Sequence, residues 1–280
     1  MPKTDKACPI CGDVTNPIFR KIILGKNQVE YLECRYCGLV KTETPHWLEE
    51  AYTSAIADMD TGLVQRNIEM SNAISLIIEA KFDAKGVFLD YAGGYGLFVR
   101  LMRDKGFDFY WHDKYCSNIF ARQFSKPDGQ VSFELVTAFE FLEHVFDPLK
   151  EVGTMADLSD NILFTTEIRP DTIDEMSNWW YLVPETGQHV LFYTVMSLEI
   201  LAQKLGMHFY SNFRNIHLFS RDARLDPFSE RKASSPNFIH RLSRPFRRTP
   251  DNQHMGMESL TWKDHIRVRD SLRKTQKGKD

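Results

Sequence analysis

Apolar residues recur along this chain with two different periods, and the periods alternate. From Gly62 to Phe82 the apolar positions Leu63, Ile68, Ala73, Leu76, Ile77 and Ala80 fall at helical spacing. Val87-Phe88-Leu89 is a short apolar run that ends on Asp90 and predicts a buried strand. Leu97 to Lys105 predicts a helix stopped by Gly106, and Phe107 to Trp111 a second strand ending near Asp113. A further strand is expected over Phe133 to Thr137. Phe141 opens a turn, and Asp147-Pro148 combines a capping acid with proline at the first helical position. Asn161 to Thr166 reads as a strand and Met196 to Leu205 as a helix ended by Gly206. Met207 to Phe213 and Ile216 to Ser220 read as a closing hairpin. Strands and helices in alternation predict an α/β fold with a mostly parallel, Rossmann-like central sheet.

Composition supports a folded chain. The 280 residues are 42% hydrophobic and 26% charged, enough to bury a sizeable core. The net charge of −3 hides an asymmetry. Residues 221–280 hold 15 Lys/Arg and 8 Asp/Glu, a net of +7, and the rest holds 35−15=20 against 38−8=30, a net of −10. No apolar run approaches the roughly 18 residues of a membrane span. Met1-Pro2-Lys3-Thr4-Asp5-Lys6 has no apolar signal region, so a cytoplasmic, reducing location is the default expectation.

Four of the five cysteines occur as Cys8-Pro9-Ile10-Cys11 and Cys34-Arg35-Tyr36-Cys37, a C-x2-C-x22-C-x2-C arrangement. Two intervening residues let both thiolates of a pair face one ion, and four sulfurs suit tetrahedral Zn²⁺. A hairpin, residues 18–23 and 28–32 about Gly25-Lys26-Asn27, fits the gap. Two disulfides or redox pairs are the competing reading, and a reducing compartment argues against them. A site closed by four cysteines is structural in its chemistry. Cys116 stands alone and reads as an ordinary thiol. The expected division is a ribbon over 1–42, an enzyme domain over 43–220 and a basic extension over 221–280.

Leu89-Asp90-Tyr91-Ala92-Gly93-Gly94-Tyr95-Gly96 joins the first strand of the enzyme domain to its helix. A dinucleotide fingerprint begun at Gly94 fails at Val99, Asp90 would repel a pyrophosphate, and no P-loop lysine is present. S-adenosylmethionine carries an ammonium, a sulfonium and a ribose diol, all suited to carboxylates. Asp113, 23 residues beyond Asp90 at the end of the second strand, is placed to accept ribose hydroxyls. The competing readings are a merely structural turn and a capping role for Asp113.

These residues resemble motif I of class I S-adenosylmethionine-dependent methyltransferases, and Glu134 to Pro148 resembles their fourth-strand segment. With the cysteine pairs before the core and Gly187-Gln188-His189-Val190-Leu191-Phe192-Tyr193 after it, the layout is similar to bacterial methyltransferases with an N-terminal zinc ribbon, including sugar C-methyltransferases acting on nucleotide-linked sugars. The resemblance covers about residues 5–220. It implies that Asp90, Tyr91, Gly93, Gly94, Gly96, Asp113 and Phe139 hold the cofactor. Ala92 replaces the usual glycine, and little room is left between Asp113 and Glu134 for a third strand, of which Phe120 to Phe124 is the expected vestige.

Removing a proton from the methyl acceptor calls for a base, and histidine titrates near neutrality. The resemblance associates histidines of these segments with proton transfer, which points to His189 as base, His144 as its assistant or a substrate ligand, and Glu140 as a group facing the ligand. A helix-capping His144 and a structural His189 are the plainer alternatives. Glu143 reads as a structural acceptor, Trp179-Trp180-Tyr181 as an aromatic wall or core packing, and Tyr52 and Arg66 as weaker candidates. The expected partner is a small-molecule methyl acceptor. A nucleic-acid substrate tracked by Arg241, Arg244, Arg247 and Arg248 is the second expectation, against which the acidic core argues, and a non-catalytic zinc-ribbon binding module is the third.

Overall fold

The computed structural model describes residues 6–52, 61–129 and 132–229, with Leu260 and Lys263. The arginine cluster at 241–248 lies outside them. The elements in order are β1 (Thr15–Ile23), β2 (Asn27–Cys34), β3 (Val40–Thr42), α1 (Leu48–Ala51), α2 (Leu63–Lys81), β4 (Val87–Tyr91), α3 (Leu97–Asp104), β5 (Asp108–His112), β6 (Leu135–Ala138), α4 (Pro148–Ala156), β7 (Asn161–Thr165), α5 (Ile173–Ser177), β8 (Leu191–Phe192), α6 (Val195–Lys204), β9 (His208–Ser211) and β10 (Ile216–Ser220). Residues 61–134 with 226–280 form one compact unit, and residues 1–60 with 135–225 form another.

In the first of these, β4 and β5 run parallel, with Val87 opposite Asp108 and Tyr91 opposite His112. Phe88 stacks on Phe109 at 5.0 Å, and Phe98 from α3 meets the same ring edge-on. Arg103, 2% exposed near the end of α3, is tolerated there because its guanidinium donates to Asp108 and to the Phe109 carbonyl and lies 3.8 Å over the Phe124 ring. The buried stripe of α2 is Ser71, Ile74, Ser75, Ile77 and Ile78, whereas Ile68 and Leu76 are exposed. That helix carries apolar residues on more than one face, so spacing alone does not select the buried one. The expected strand vestige at Phe120 to Phe124 is reduced to a single parallel bridge between Trp111 and Ser125.

In the other unit, β6 and β7 are parallel, and β10 pairs antiparallel with both β7 and β9. The class is therefore α/β with a mostly parallel, Rossmann-like sheet and an antiparallel closing hairpin, as expected. Helix α4 begins as anticipated: the Asp147 side chain accepts the Lys150 N–H and Pro148 follows it. At α6, Thr194 and Ser197 form a reciprocal capping box.

The N-terminal hairpin β1–β2 belongs to this same unit and extends into a four-stranded sheet of order β1-β2-β3-β8. The last strand comes from far along the chain, Val40 facing Phe192 and Lys41 facing Leu191. Three further ties fix the ribbon there. The Thr194 hydroxyl donates to the Cys37 carbonyl at 2.6 Å, the Trp47 indole donates to the Gly187 carbonyl at 2.8 Å, and Arg169 donates to Gly38 O and to Glu33. No helix among the described residues is long and apolar enough to cross a membrane.

Candidate active site

The chain leaves β4 through Ala92, Gly94 and Gly96 at φ of 57°, 53° and 83°, all left-handed, before entering α3. Three such residues in five reverse the backbone tightly and turn its N–H groups toward their surroundings. Gly93 N–H donates to the His112 carbonyl and Gly94 N–H to Asp113 Oδ2 at 3.0 Å. The Trp111 indole donates to Gly94 O at 2.8 Å. A side chain is barred at Gly96, where a Cβ would lie 2.6 Å from Asn118 Oδ1, quite apart from its φ. Asp90 is 2% exposed and its Oδ2 lies against Gly93, where a Cβ would approach it to 2.6 Å. Tyr91 is buried with its ring 5.0 Å from that of His112. Asp90, Tyr91, Gly93, Gly94, Gly96 and Asp113 are thus brought together about one turn. Asp113 does more than sequence suggests: its Oδ1 also accepts the N–H groups of Tyr115 and Cys116, so it braces the loop that follows β5.

The second constellation sits where β6 and β7 end. Phe139 and Glu140 follow β6 directly. Glu140 is held at φ 48°, a costly conformation for a side-chain-bearing residue. Thr165, at the end of β7, secures it from both sides. Its Oγ1 accepts the Glu140 N–H at 2.9 Å and donates to Glu140 Oε1 at 2.8 Å. A turn of 3-10 helix, Leu142–His144, then carries Glu143 inward and His144 alongside. Glu143 is fully buried and accepts the Tyr181 hydroxyl at 2.6 Å, while its Oε2 makes no well-formed hydrogen bond among the described residues, the Thr166 hydroxyl standing near the carboxyl. Burial, and Glu140 beside it, push the Glu143 carboxyl well above the usual range.

His189 is fixed by the carbonyl of Tyr181, 2.7 Å from its Nδ1. A carbonyl only accepts, so Nδ1 carries the proton and Nε2 presents a lone pair when the ring is neutral. His144 Nδ1 lies 3.0 Å from the Tyr52 hydroxyl and 3.2 Å from the Gln188 carbonyl. The two imidazoles meet edge-to-face with centroids 4.7 Å apart. Burial, and then the neighbouring His189, hold the pKa of His144 well below the ordinary histidine value. His144 does not cap α4, a role taken by Asp147. The expected catalytic trio His189, His144 and Glu140 therefore shares one region, Glu140 joining it through the Tyr181 hydroxyl, while Phe139 precedes Glu140 in the chain.

Tyr181 is the residue that sequence reading undervalued. The aromatic run splits: Trp180 is 70% exposed, whereas Tyr181 is 2% exposed and joins Glu143 to His189 through its hydroxyl and its carbonyl. Its signal in the sequence was only membership of an aromatic cluster. Tyr52 acquires a definite contact on His144, and Arg66 lies in the first turn of α2.

At the ribbon, one ligand atom from each of Cys8, Cys11, Cys34 and Cys37 lies within 4.8 Å of the others. The pairs Cys8–Cys37 and Cys11–Cys34 stand at 3.6 and 3.3 Å, far beyond a disulfide bond of about 2.05 Å. Tetrahedral sulfurs about 2.3 Å from a shared ion would be separated by roughly 3.8 Å, so this donor set fits zinc. The Cys37 side chain hydrogen-bonds Cys8 and lowers its thiol to about 5, while burial raises Cys34 to about 11. Burial and mutual contact thus oppose ionising several of these thiols at once, and a dication is what would let all four ionise.

A family model described as a methyltransferase domain matches residues 65–211. Solved structures with a similar fold include a methyltransferase of calicheamicin biosynthesis in its S-adenosylhomocysteine-bound form, at 13% identity over 59% of this chain and 55% of that one, TM-score 0.44. An O-methyltransferase family protein from Burkholderia thailandensis shares 13% identity over 64% of this chain and 63% of its own, TM-score 0.48. Magnesium protoporphyrin IX methyltransferase from Synechocystis PCC 6803 shares 12% over 62% and 94%, TM-score 0.42. The chain thus spans little more than half the length of the first of these. A comparison with curated protein sequences gives no match. With the family model spanning the glycine turn, the β6–β7 edge and both histidines, the chain belongs to the methyltransferase-domain family.

Proposed function

We propose that this protein transfers a methyl group from S-adenosylmethionine to a small-molecule acceptor, a sugar or nucleotide-linked sugar, with His189 taking the acceptor's proton. The observation that carries the base assignment is the Tyr181 carbonyl on His189 Nδ1 at 2.7 Å, which leaves Nε2 as the proton-accepting atom. The cofactor supplies an electrophilic methyl on a sulfonium. Asp90, Tyr91, Gly93, Gly94, Gly96 and Asp113 are the residues to hold it, with Phe139 beside them in role. Their fit rests on chemistry: a buried acid under a left-handed glycine turn and a second acid at the next strand end suit an ammonium and a ribose diol.

His189 has a defined proton path. Nε2 accepts from the acceptor, and Nδ1 stays bonded to the Tyr181 carbonyl, which stabilises the imidazolium. His144, kept neutral by burial, adds no opposing positive charge beside it. Glu140, pinned by Thr165, supplies a fixed carboxylate for an acceptor hydroxyl. Structural zinc on the four cysteines completes the reading. His189→Ala should bind S-adenosylhomocysteine nearly normally in calorimetry and lose turnover by ~10²–10⁴-fold, the range for a general base. Retention of more than about a tenth of turnover with a true acceptor, found by screening nucleotide sugars, would remove His189 from this role.

A further inference from the structure

Glu143, His144 and His189 each offer one ligand atom, and these atoms lie within 4.8 Å of one another. We propose that the three side chains form a binding site for a divalent first-row cation, separate from the four cysteines. Two imidazoles and one carboxylate are a donor set that zinc and its neighbours accept.

Three observations carry the assignment beyond proximity. Both imidazoles are oriented through Nδ1 by backbone carbonyls, His189 by Tyr181 at 2.7 Å and His144 by Gln188 at 3.2 Å. That is the arrangement that fixes ligating histidines, because it commits Nδ1 to donating and leaves Nε2 for the ion. The Tyr52 hydroxyl beside His144 is compatible, since a hydroxyl accepts as well as donates. The carboxylate is oriented too, with the Tyr181 hydroxyl on Glu143 at 2.6 Å. Finally, Glu143 Oε2 is fully buried and makes no well-formed hydrogen bond among the described residues, although the Thr166 hydroxyl stands near the carboxyl, an expensive state in a protein interior and one that a cation would relieve. Ligands about 2.0–2.2 Å from one ion sit roughly 3–3.5 Å apart, so closing on it needs only side-chain adjustment.

Three protein ligands leave at least one coordination position for an oxygen of another molecule. Occupancy also uses the Nε2 lone pair of His189, so the ion and the base role are alternatives at one side chain. Binding of the ion does not rest on the methyl-transfer reading.

The test titrates Co²⁺ into the full-length protein carrying a single equivalent of zinc, which the four thiolates take first, followed by visible absorption. One further saturating equivalent is expected, without the thiolate-to-cobalt charge-transfer band that the cysteine site would give. His189→Gln and Glu143→Gln should each weaken it by at least ~10-fold. Circular dichroism checks that the variants are folded, and His144→Gln replaces any that is not. No saturating absorption in the unsubstituted protein, absorption carrying only the thiolate band, or undiminished binding in folded variants would overturn the site. S-adenosylhomocysteine binding without cobalt binding removes the metal site alone, and cobalt binding without S-adenosylhomocysteine binding removes the methyl-transfer reading alone.

Discussion

Asp113 reaches from the end of β5 to the backbone of Gly94, 3.0 Å away, so the glycine turn after β4 and the loop after β5 are joined by a carboxylate. The same side chain accepts from Tyr115 and Cys116. Each carboxylate oxygen has two lone pairs, so with two N–H groups on Oδ1 and one on Oδ2, capacity remains on Oδ2 for one ribose hydroxyl. Asp113→Ala should weaken S-adenosylmethionine binding by ~1.5–3 kcal/mol, the range for hydrogen bonds to a charged group. Calorimetry showing unchanged affinity would place the ribose contact elsewhere.

Ala92 adopts φ 57° where related turns use glycine. A left-handed alanine costs roughly 1 kcal/mol relative to glycine. Ala92→Gly is therefore expected to raise unfolding free energy by up to about 1 kcal/mol in urea melts, less the extra entropy of the unfolded glycine. A destabilised variant would show that the methyl group packs usefully.

The ribbon should carry one zinc per chain. Its coupling to Thr194, Arg169 and β8 predicts that Cys34→Ser lowers thermal stability of the whole second unit and leaves cofactor affinity comparatively unchanged. Elemental analysis below about half an equivalent, in protein purified without chelator, contradicts the zinc assignment.

His217 is fully buried between Ser211 and the Thr166 carbonyl, and burial lowers its pKa to about 4. Below about pH 6.5 the unfolded chain protonates this histidine and the folded one does not, so its contribution to stability falls as pH drops toward 4. From pH 6.5 to 5 the loss is about 2 kcal/mol. Glu143, with a raised pKa, acts in the opposite direction, since the folded state holds its proton. Urea melts of His217→Gln against the unsubstituted protein isolate the histidine: the variant's pH dependence should be flatter by that amount, and equal slopes would contradict it.

Local chemistry was readable where it is self-contained. Asp147-Pro148 started a helix, Gly206 followed one, and the cysteine pairs converged, because each depends on residues within a turn or on a repeated spacing. The β6–β7 edge was harder. Thr165 holding Glu140 and Tyr181 holding Glu143 are contacts between residues 25 and 38 positions apart, and they depend on how distant segments pack. The helix α2 was readable from its apolar spacing but its buried face was not, because burial is decided by what packs against a helix, not by its own apolar count. β3 and β8 are too short to announce themselves.

That last pairing also sets an order of events during synthesis. β3 leaves the ribosome before β8, which is made only after most of the sheet-forming chain has followed. Until Leu191 and Phe192 emerge, Val40–Thr42 has a bare edge open to any passing strand, a recognised route to misassociation. The entropy of closing so long a loop grows only logarithmically, so the delay is chiefly one of translation time. The four-stranded sheet that holds the ribbon is therefore completed only when residues 191–192 are made.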